Sequence, residues 1–437
     1  MPVGLALTGY LHPDHRVKLS EAREWLSRAA VWFETAGDAV LETRLARDAD
    51  DKPLLHILLH PVADPVELRI GGSGKVTVHA RTVPVGPGYH AHLCELLKEF
   101  ADDFEFAWNE PTPDHDPAHY FATGDRAKLE RHFLHWLAAE CTAALRKATP
   151  AAAVAIGLPR QTTFLHPGPV LTPLGPRPEA WLKEVAADPM KGFDFFPWWS
   201  PDLDAEFYTK RALTELWVAF PWRPPLTEAE GEVVDQIAAD LANAHEADPA
   251  AAKPWGAWAE VVDAIERDAN RFTVEPVSAE LKQLIRTTAN GSRPKLGYRR
   301  HDLVATLSGG WHMRMPGRLA LKREDDSRTW TAWDDTMTVW FRDQSLGHPE
   351  RGPLPTPREA IAVARKNLPP GEPVVKLDNG TVGEAVFGPH VEDGKPVWRL
   401  CGVAAAGHRL AVCNIYLTRE ADRDAAVAMW QSLHRVH

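Results

Sequence analysis

The stretch VWRLCGVAAAGHRLAVCNIYLT, residues 397–418, decides how the C-terminal third folds. Val397–Ala405 and Arg409–Leu417 read as two paired antiparallel strands. Working upstream, Val382–Phe387, Met337–Phe341, Thr329–Trp333, Leu319–Lys322 and Leu303–Leu307 give further strand candidates. Thr356 and Glu359 have capping-box spacing and open a helix over REAIAVARKNL. Downstream, the chain closes with a helix from Glu420 to about Arg435, with Ala426, Met429, Trp430 and Leu433 on its apolar side. Strands, a helix, an antiparallel meander and a terminal helix predict a two-layer α/β sandwich over residues 293–437.

With GGWHMRMPG (residues 309–317) opening the unit, the paired strands VWRLCGVA and RLAVCNIYLT within it, and DAAVAMWQSL (residues 424–433) closing it, this order resembles the PsbP-like or DcrB-like sandwich. The resemblance spans about a third of the chain. It implies a module that binds or assembles with other proteins. Such modules share no catalytic set, so the resemblance transfers no site residues.

Residues 1–150 read as an α+β unit. Ser20 is placed to cap a helix over EAREWLSRAAVWFETA, with Trp25, Ala29, Trp32 and Phe33 on one face and Gly37 as its stop. Ala39–Arg47, Leu54–His60, Val66–Ile70 and Lys75–Val83 follow as an antiparallel meander. GGSGK (residues 71–75) lacks the spacing of a phosphate loop and precedes an alternating strand, so it reads as a hairpin turn. Gly86-Pro87-Gly88 stands just before a helix and reads either as a chain reversal or as an anion site at the helix start. From Asp125 to Lys147 the spacing of Leu129, Phe133, Leu137, Cys141 and Leu145 predicts a second long helix. Residues 151–292 form a Pro-rich connection, HPGPVLTPLGPRPEAW, followed by helices over Asp204–Phe220, Thr227–His245 and Pro254–Asp268. The fold class is α+β: an N-terminal antiparallel sheet with helices, a mainly helical middle and the C-terminal sandwich.

The 437 residues carry a net charge of -11 and a hydrophobic share of 44%, an ordinary globular balance that excludes wholesale disorder and collagen-like chains. Apolar runs are too short for a membrane span, and neither a secretory signal nor a prenylation cysteine is present, so the chain reads as cytoplasmic. Four cysteines without a CxxC pair read as buried thiols rather than a disulfide framework. The acidic balance disfavours nucleic acid, and the small basic spots at Arg299–His301 and Leu321–Arg323 read as solvated surface.

Two constellations remain. His115 and His119 flank Asp116, and His132 and His135 share a helix face, so these residues offer nitrogen and oxygen ligands suited to zinc or a related divalent ion. No HExxH or other metal-hydrolase signature accompanies them, and a polar loop beside a helix surface explains them as well. The second is FDFFPWWSPD (residues 193–202), too dense in aromatics for a single helix or strand face. It either plugs a gap between domains or presents Phe195, Phe196, Trp198 and Trp199 as an anchor to a partner. With no GxSxG or other catalytic signature, the sequence points to a non-catalytic, cofactor-free interaction or adaptor protein with a protein partner. A bacterial regulatory, immunity or defence-associated adaptor fits. The alternative is a metal-dependent hydrolase holding one divalent ion, zinc foremost.

Overall fold

A computed structural model describes residues 4–11, 17–48, 50–147, 153–159, 162–274, 277–292, 295–324, 328–347, 354–374, 377–378 and 380–436. The chain begins with β1 (Leu5–Tyr10), α1 (Leu19–Ala36), β2 (Glu42–Arg47), β3 (Pro53–Leu58), β4 (Val66–Ile70) and β5 (Lys75–Ala80). Then come α2 (Pro87–Asp103), β6 (Ala107–Trp108), α3 (Tyr120–Thr123) and α4 (Arg126–Lys147). The strands form one antiparallel sheet in the order β2-β3-β4-β5-β1-β6. GGSGK is the β4–β5 hairpin turn, closed by the Gly71 N–H on the Lys75 carbonyl at 2.8 Å. The first helix is capped two residues before Ser20: Glu21 reaches back to accept from the Lys18 N–H at 2.9 Å. Ala22, Trp25, Leu26, Ala29 and Phe33 then face the sheet and α2 from one stripe.

The middle of the chain has β7 (Val154–Ala155), β8 (Thr162–Phe164), β9 (Val170–Thr172), β10 (Gly175–Arg177) and α5 (Glu179–Ala187). Helices α6 (Ala205–Val218), α7 (Glu228–Ala247), α8 (Trp255–Glu266) and α9 (Ala279–Ala289) follow. Asp204 caps α6 on the Phe207 N–H at 2.9 Å, and Thr227 caps α7 on the Glu230 N–H at 3.2 Å. These helices share a core built on Leu216, Ile237, Leu241, Trp258, Val261 and Ile285. Strand β8 leaves its sequence neighbours and pairs with a C-terminal strand, Leu303 lying opposite Phe164.

The last third comprises β11 (Asp302–Thr306), β12 (Trp311–Pro316), β13 (Ala320–Arg323), β14 (Thr329–Trp333), β15 (Met337–Ser345) and α10 (Pro357–Ala364). It ends with β16 (Glu372–Pro373), β17 (Leu377–Asp378), β18 (Val382–Glu392), β19 (Lys395–Ala406), β20 (Arg409–Leu417), α11 (Arg423–Gln431) and β21 (His434–Arg435). The large sheet runs β13-β14-β15-β20-β19-β18-β16, with β17 also on β18, and a smaller sheet runs β21-β12-β11-β8. The terminal helix stops at Gln431 because residues 434–435 leave it to pair with β12 as β21. One face of the large sheet packs against the small sheet and α11, through Phe341, Leu400, Ile415, Met313 and Trp430. The opposite face receives α10, whose Thr356–Glu359 capping box is closed from both sides. The protein is α+β, and among the described residues no helix is long and apolar enough to cross a membrane.

The segment Gly297–His301 joins these parts. Arg299 is not a solvated surface charge: its guanidinium is buried and donates to the carbonyls of Ala219 at 2.9 Å, Gly317 at 2.7 Å and Leu319 at 2.8 Å. Glu230 lies 3.6 Å away and is gripped by Arg223 at 2.7 and 2.9 Å. Burial lowers Arg299 to about 10, with Glu230 opposing the shift, so it keeps its charge at neutral pH. Beside it, the Tyr298 hydroxyl donates to the Thr172 carbonyl at 2.8 Å, and Arg300 lies 3.6 Å over the Trp222 ring while pairing with Glu260 at 2.6 Å. Gly297 has φ +104°, and a Cβ there would fall 1.8 Å from the Trp222 indole nitrogen, so only glycine fits. Removing the carboxylate by Glu230→Ala strands two guanidinium groups and is expected to cost roughly 3–5 kcal/mol in urea unfolding. A loss under about 1 kcal/mol would show that the hub is solvated.

Candidate functional site

The structure separates the residues of the expected metal site. Asp116 turns inward: it is fully buried, accepts from the Phe121 N–H at 2.8 Å and lies 3.7 Å from the His90 Nε2. His115 stays exposed outside, 3.3 Å from Thr112, and His119 faces Glu110 at 3.4 Å. His132 is half-buried on α4, while His135 is exposed one turn on. Among the described residues, no group of three or more His, Cys, Asp or Glu side chains is placed to hold a metal ion. The Pro-containing loop sends Asp116 and the two histidines beside it to different environments. What the fold does assemble is Thr82, His90 and Asp116, with the Thr82 hydroxyl 3.0 Å from His90 Nδ1. All three are fully buried, so the row is closed to a substrate.

The aromatic loop is also internal. Phe195, Phe196 and Trp198 are buried and Trp199 is half-buried, which corrects their reading as an exposed anchor. Phe196 packs on Phe133 of α4 with ring centroids 5.8 Å apart, and Trp198 packs on Phe207 of α6 at 4.4 Å. The start of α2 is stitched to the same loop: the Gly88 N–H donates to the Trp198 carbonyl, and the Trp198 N–H to the Val85 carbonyl, each at 3.0 Å. A Cβ at Gly88 would meet the Ser200 carbonyl oxygen at 2.4 Å. Gly86-Pro87-Gly88 therefore lets two backbones touch, and a carbonyl occupies the place an anion would take. Arg126 completes the joint, donating to the carbonyls of Pro87, at 2.9 Å, and of Trp199.

All four cysteines are free thiols. Cys401 and Cys413 occupy adjacent strands but opposite faces, since Cys401 lies opposite Asn414 and Cys413 opposite Gly402. Of the Arg299–His301 triplet, Arg299 is committed internally, while Arg300 is exposed and paired with Glu260.

A surface with room for another molecule lies on the large C-terminal sheet. Helix α10 covers only the end of its face where Val403, Ala405, Leu410 and Val412 point outward. Farther along the same face stand Thr338 and Trp340 of β15, opposite Tyr416 and Asn414 of β20. These four line an open cleft of about 670 Å³ together with Val397. The β14–β15 turn, with Asp334 and Asp335, rises on one side, and the β18–β19 turn, with Glu392 and Asp393, rises on the other. Burial works against the Asp334 carboxylate, yet hydrogen bonds from Thr336 and the Arg318 guanidinium at 2.6 Å hold it below the usual carboxylate range. The Asn414 side-chain oxygen is itself buried, without a hydrogen-bond partner among the described residues. The cleft's volume lies within the roughly 300–1,000 Å³ of ligand clefts. The sequence carries a trace of this cleft: along β20, one face changes from Leu410 and Val412 to Asn414 and Tyr416 midway.

No family model matches this chain. Nor does any curated protein. Among solved structures it is similar to a crystal structure from Bacteroides thetaiotaomicron VPI-5482 at 1.50 Å resolution, with 12% identity and a TM-score of 0.24. The match covers 29% of this chain and 46% of that one.

The buried histidines of the N-terminal body set its acid response. Burial holds His60, His90 and His92 below the ordinary 6.5; Arg211 adds to this at His60, while Asp116 opposes it at His90 and Asp38 at His92. Each is neutral in the fold and takes up a proton more readily once unfolded. Stability is therefore complete above about 6.5 and falls as the pH drops below it, by roughly 1.4 kcal/mol per pH unit for each histidine that stays neutral. Urea midpoints that decline over this range, and decline less in His90→Gln, are the expected result. In the same body, Trp198→Ala is expected to cost roughly 3–5 kcal/mol, read in the same unfolding experiment.

Proposed function

We propose that the chain is a non-catalytic interaction or adaptor protein that receives a protein partner on the open half of its C-terminal sheet. The observation that carries this reading is the cleft over Trp340, Asn414 and Tyr416. There an aromatic and polar sheet face lies open beside the part that α10 covers. Aromatic rings with a polar tip are the side chains that contribute most at protein interfaces, because they lose little rotamer freedom and bury a large area. A sheet face whose exposed row is aromatic and polar tolerates water in the free state and gives up that water to a complementary surface. The regulatory, immunity or defence context read from the sequence is compatible with such a role.

A photo-crosslinking residue placed at Thr338 tests this in native lysate, with the same residue at the exposed Glu246 of α7 as reference. The expected outcome is a discrete adduct from position 338 alone. With that partner purified, Tyr416→Ala and Trp340→Ala are each expected to weaken binding roughly thirtyfold, about 2 kcal/mol, at unchanged circular dichroism. Equal adducts from both positions, or full affinity in both variants, would remove the cleft from consideration.

A further inference from the structure

We infer that the cleft's occupant is a lysine- or arginine-bearing segment of the partner protein; this rests on the reading of the cleft as a docking surface. The charges on its walls are unequal: Asp334, Asp335, Glu392 and Asp393 line it against a single Lys395. Two of the acids already have company, Asp334 with Arg318 at 2.6 Å and Glu392 with His390 at 3.1 Å. Asp335 and Asp393 stand exposed at the tips of the two turns. Two further cations share the face: Arg399, opposite Tyr416, leans to His390 at 3.4 Å, and Arg342 stands two residues beyond Trp340 on β15.

The topology gives these acids a common direction. Met337 and Trp398 both lie opposite Leu417, so the β14–β15 and β18–β19 turns rise at the same end of the sheet and straddle the end of β20. With β15, β20 and β19 between them and strands about 4.8 Å apart, the two acidic tips are separated by roughly 15 Å. Between the tips the floor is aromatic, and a cation over an aromatic face gains attraction from the ring quadrupole. The net charge of -11 draws a basic segment from a distance. β20 is a central strand with both neighbours paired, so recognition here uses side chains and not strand addition. Val397 and the rings form an apolar wall that a mixed basic and apolar segment covers and a bare polyamine leaves wet.

The test is fluorescence anisotropy on the full chain, with short labelled peptides in which lysine or arginine alternates with leucine, and with the same peptides carrying glutamate instead. The basic peptides are expected to bind, to weaken as salt rises, and to lose affinity roughly tenfold in Asp335→Lys plus Asp393→Lys. A matched change of net charge elsewhere, Glu246→Lys plus Glu280→Lys on α7 and α9, is expected to leave binding within about twofold. Equal loss in both double variants would reduce the effect to overall charge and overturn the assignment. So would equal binding of the acidic peptides, or spermidine matching the peptides in affinity. If the basic peptides fail while a partner is still crosslinked at Thr338, the charge assignment falls and the docking surface stands.

Discussion

A buried guanidinium must be matched on every side, and Arg299 is matched by groups that the chain brings from separate elements. The Ala219 carbonyl comes from just beyond α6, Glu230 from α7, and the Gly317 and Leu319 carbonyls from the turn between β12 and β13. Removing such a charge from water costs several kcal/mol unless each donor finds an acceptor. The acceptors exist together only when the helical layer and the C-terminal sheets are docked. Tyr298, one residue earlier, ties β9 into the same joint, and Arg300, one residue later, ties in α8 through Glu260. Three consecutive residues, Tyr298 to Arg300, thus tie the middle and last parts of the chain together.

A second joint fixes the N-terminal body to α6. It is apolar where the first is ionic, and its aromatic density serves internal packing. Phe195, Phe196 and Trp198 fill the space between α2, α4 and α6, and the glycines at 86 and 88 let the two backbones approach within hydrogen-bond distance. Buried charge accompanies it here too. Arg211 of α6 holds Asp240 of α7 through two hydrogen bonds of 2.8 and 2.6 Å, and Glu215 beside them is pushed up by burial and by the Asp240 charge. Side chains engaged in this way are unavailable to a partner.

What the sequence made legible follows the range of the interactions. Caps at Asp204, Thr227 and Thr356 involve residues three apart, so their side-chain chemistry is written locally. The α4 stripe and the GGSGK hairpin are local in the same sense. Arg299 was opaque because its carboxylate and carbonyl partners lie in other elements, and a lone RRH triplet is chemically identical on a surface and in a core. Spacing along the chain is a poor guide at His115, Asp116 and His119 for a related reason: φ +56° at His119 and an inward Asp116 divide them in space. β1 escaped notice because it stands alone before α1, and the strands it pairs with, β5 and β6, come later in the chain.

The open cleft is a consequence of element lengths. Helix α10 has 8 residues and extends about 12 Å, whereas β19 has 12 residues and extends about 40 Å. A helix that short shields only part of the face, and the sequence is tuned to that boundary. Val403, Ala405, Leu410 and Val412 lie under the helix; Cys401, Asn414 and Tyr416 lie beyond it. The opposite face is covered by α11 and the small sheet: Leu400, Ala404, Cys413 and Ile415 are buried there, and the charged Asp343 on it is paired with Arg409. On the α10 face the change from aliphatic to amide and aromatic side chains falls where the helix ends its cover. A row of aromatic and amide side chains there satisfies two demands at once: it keeps the sheet stable in water, and it leaves the chain a surface on which another molecule can complete the layer that α10 begins.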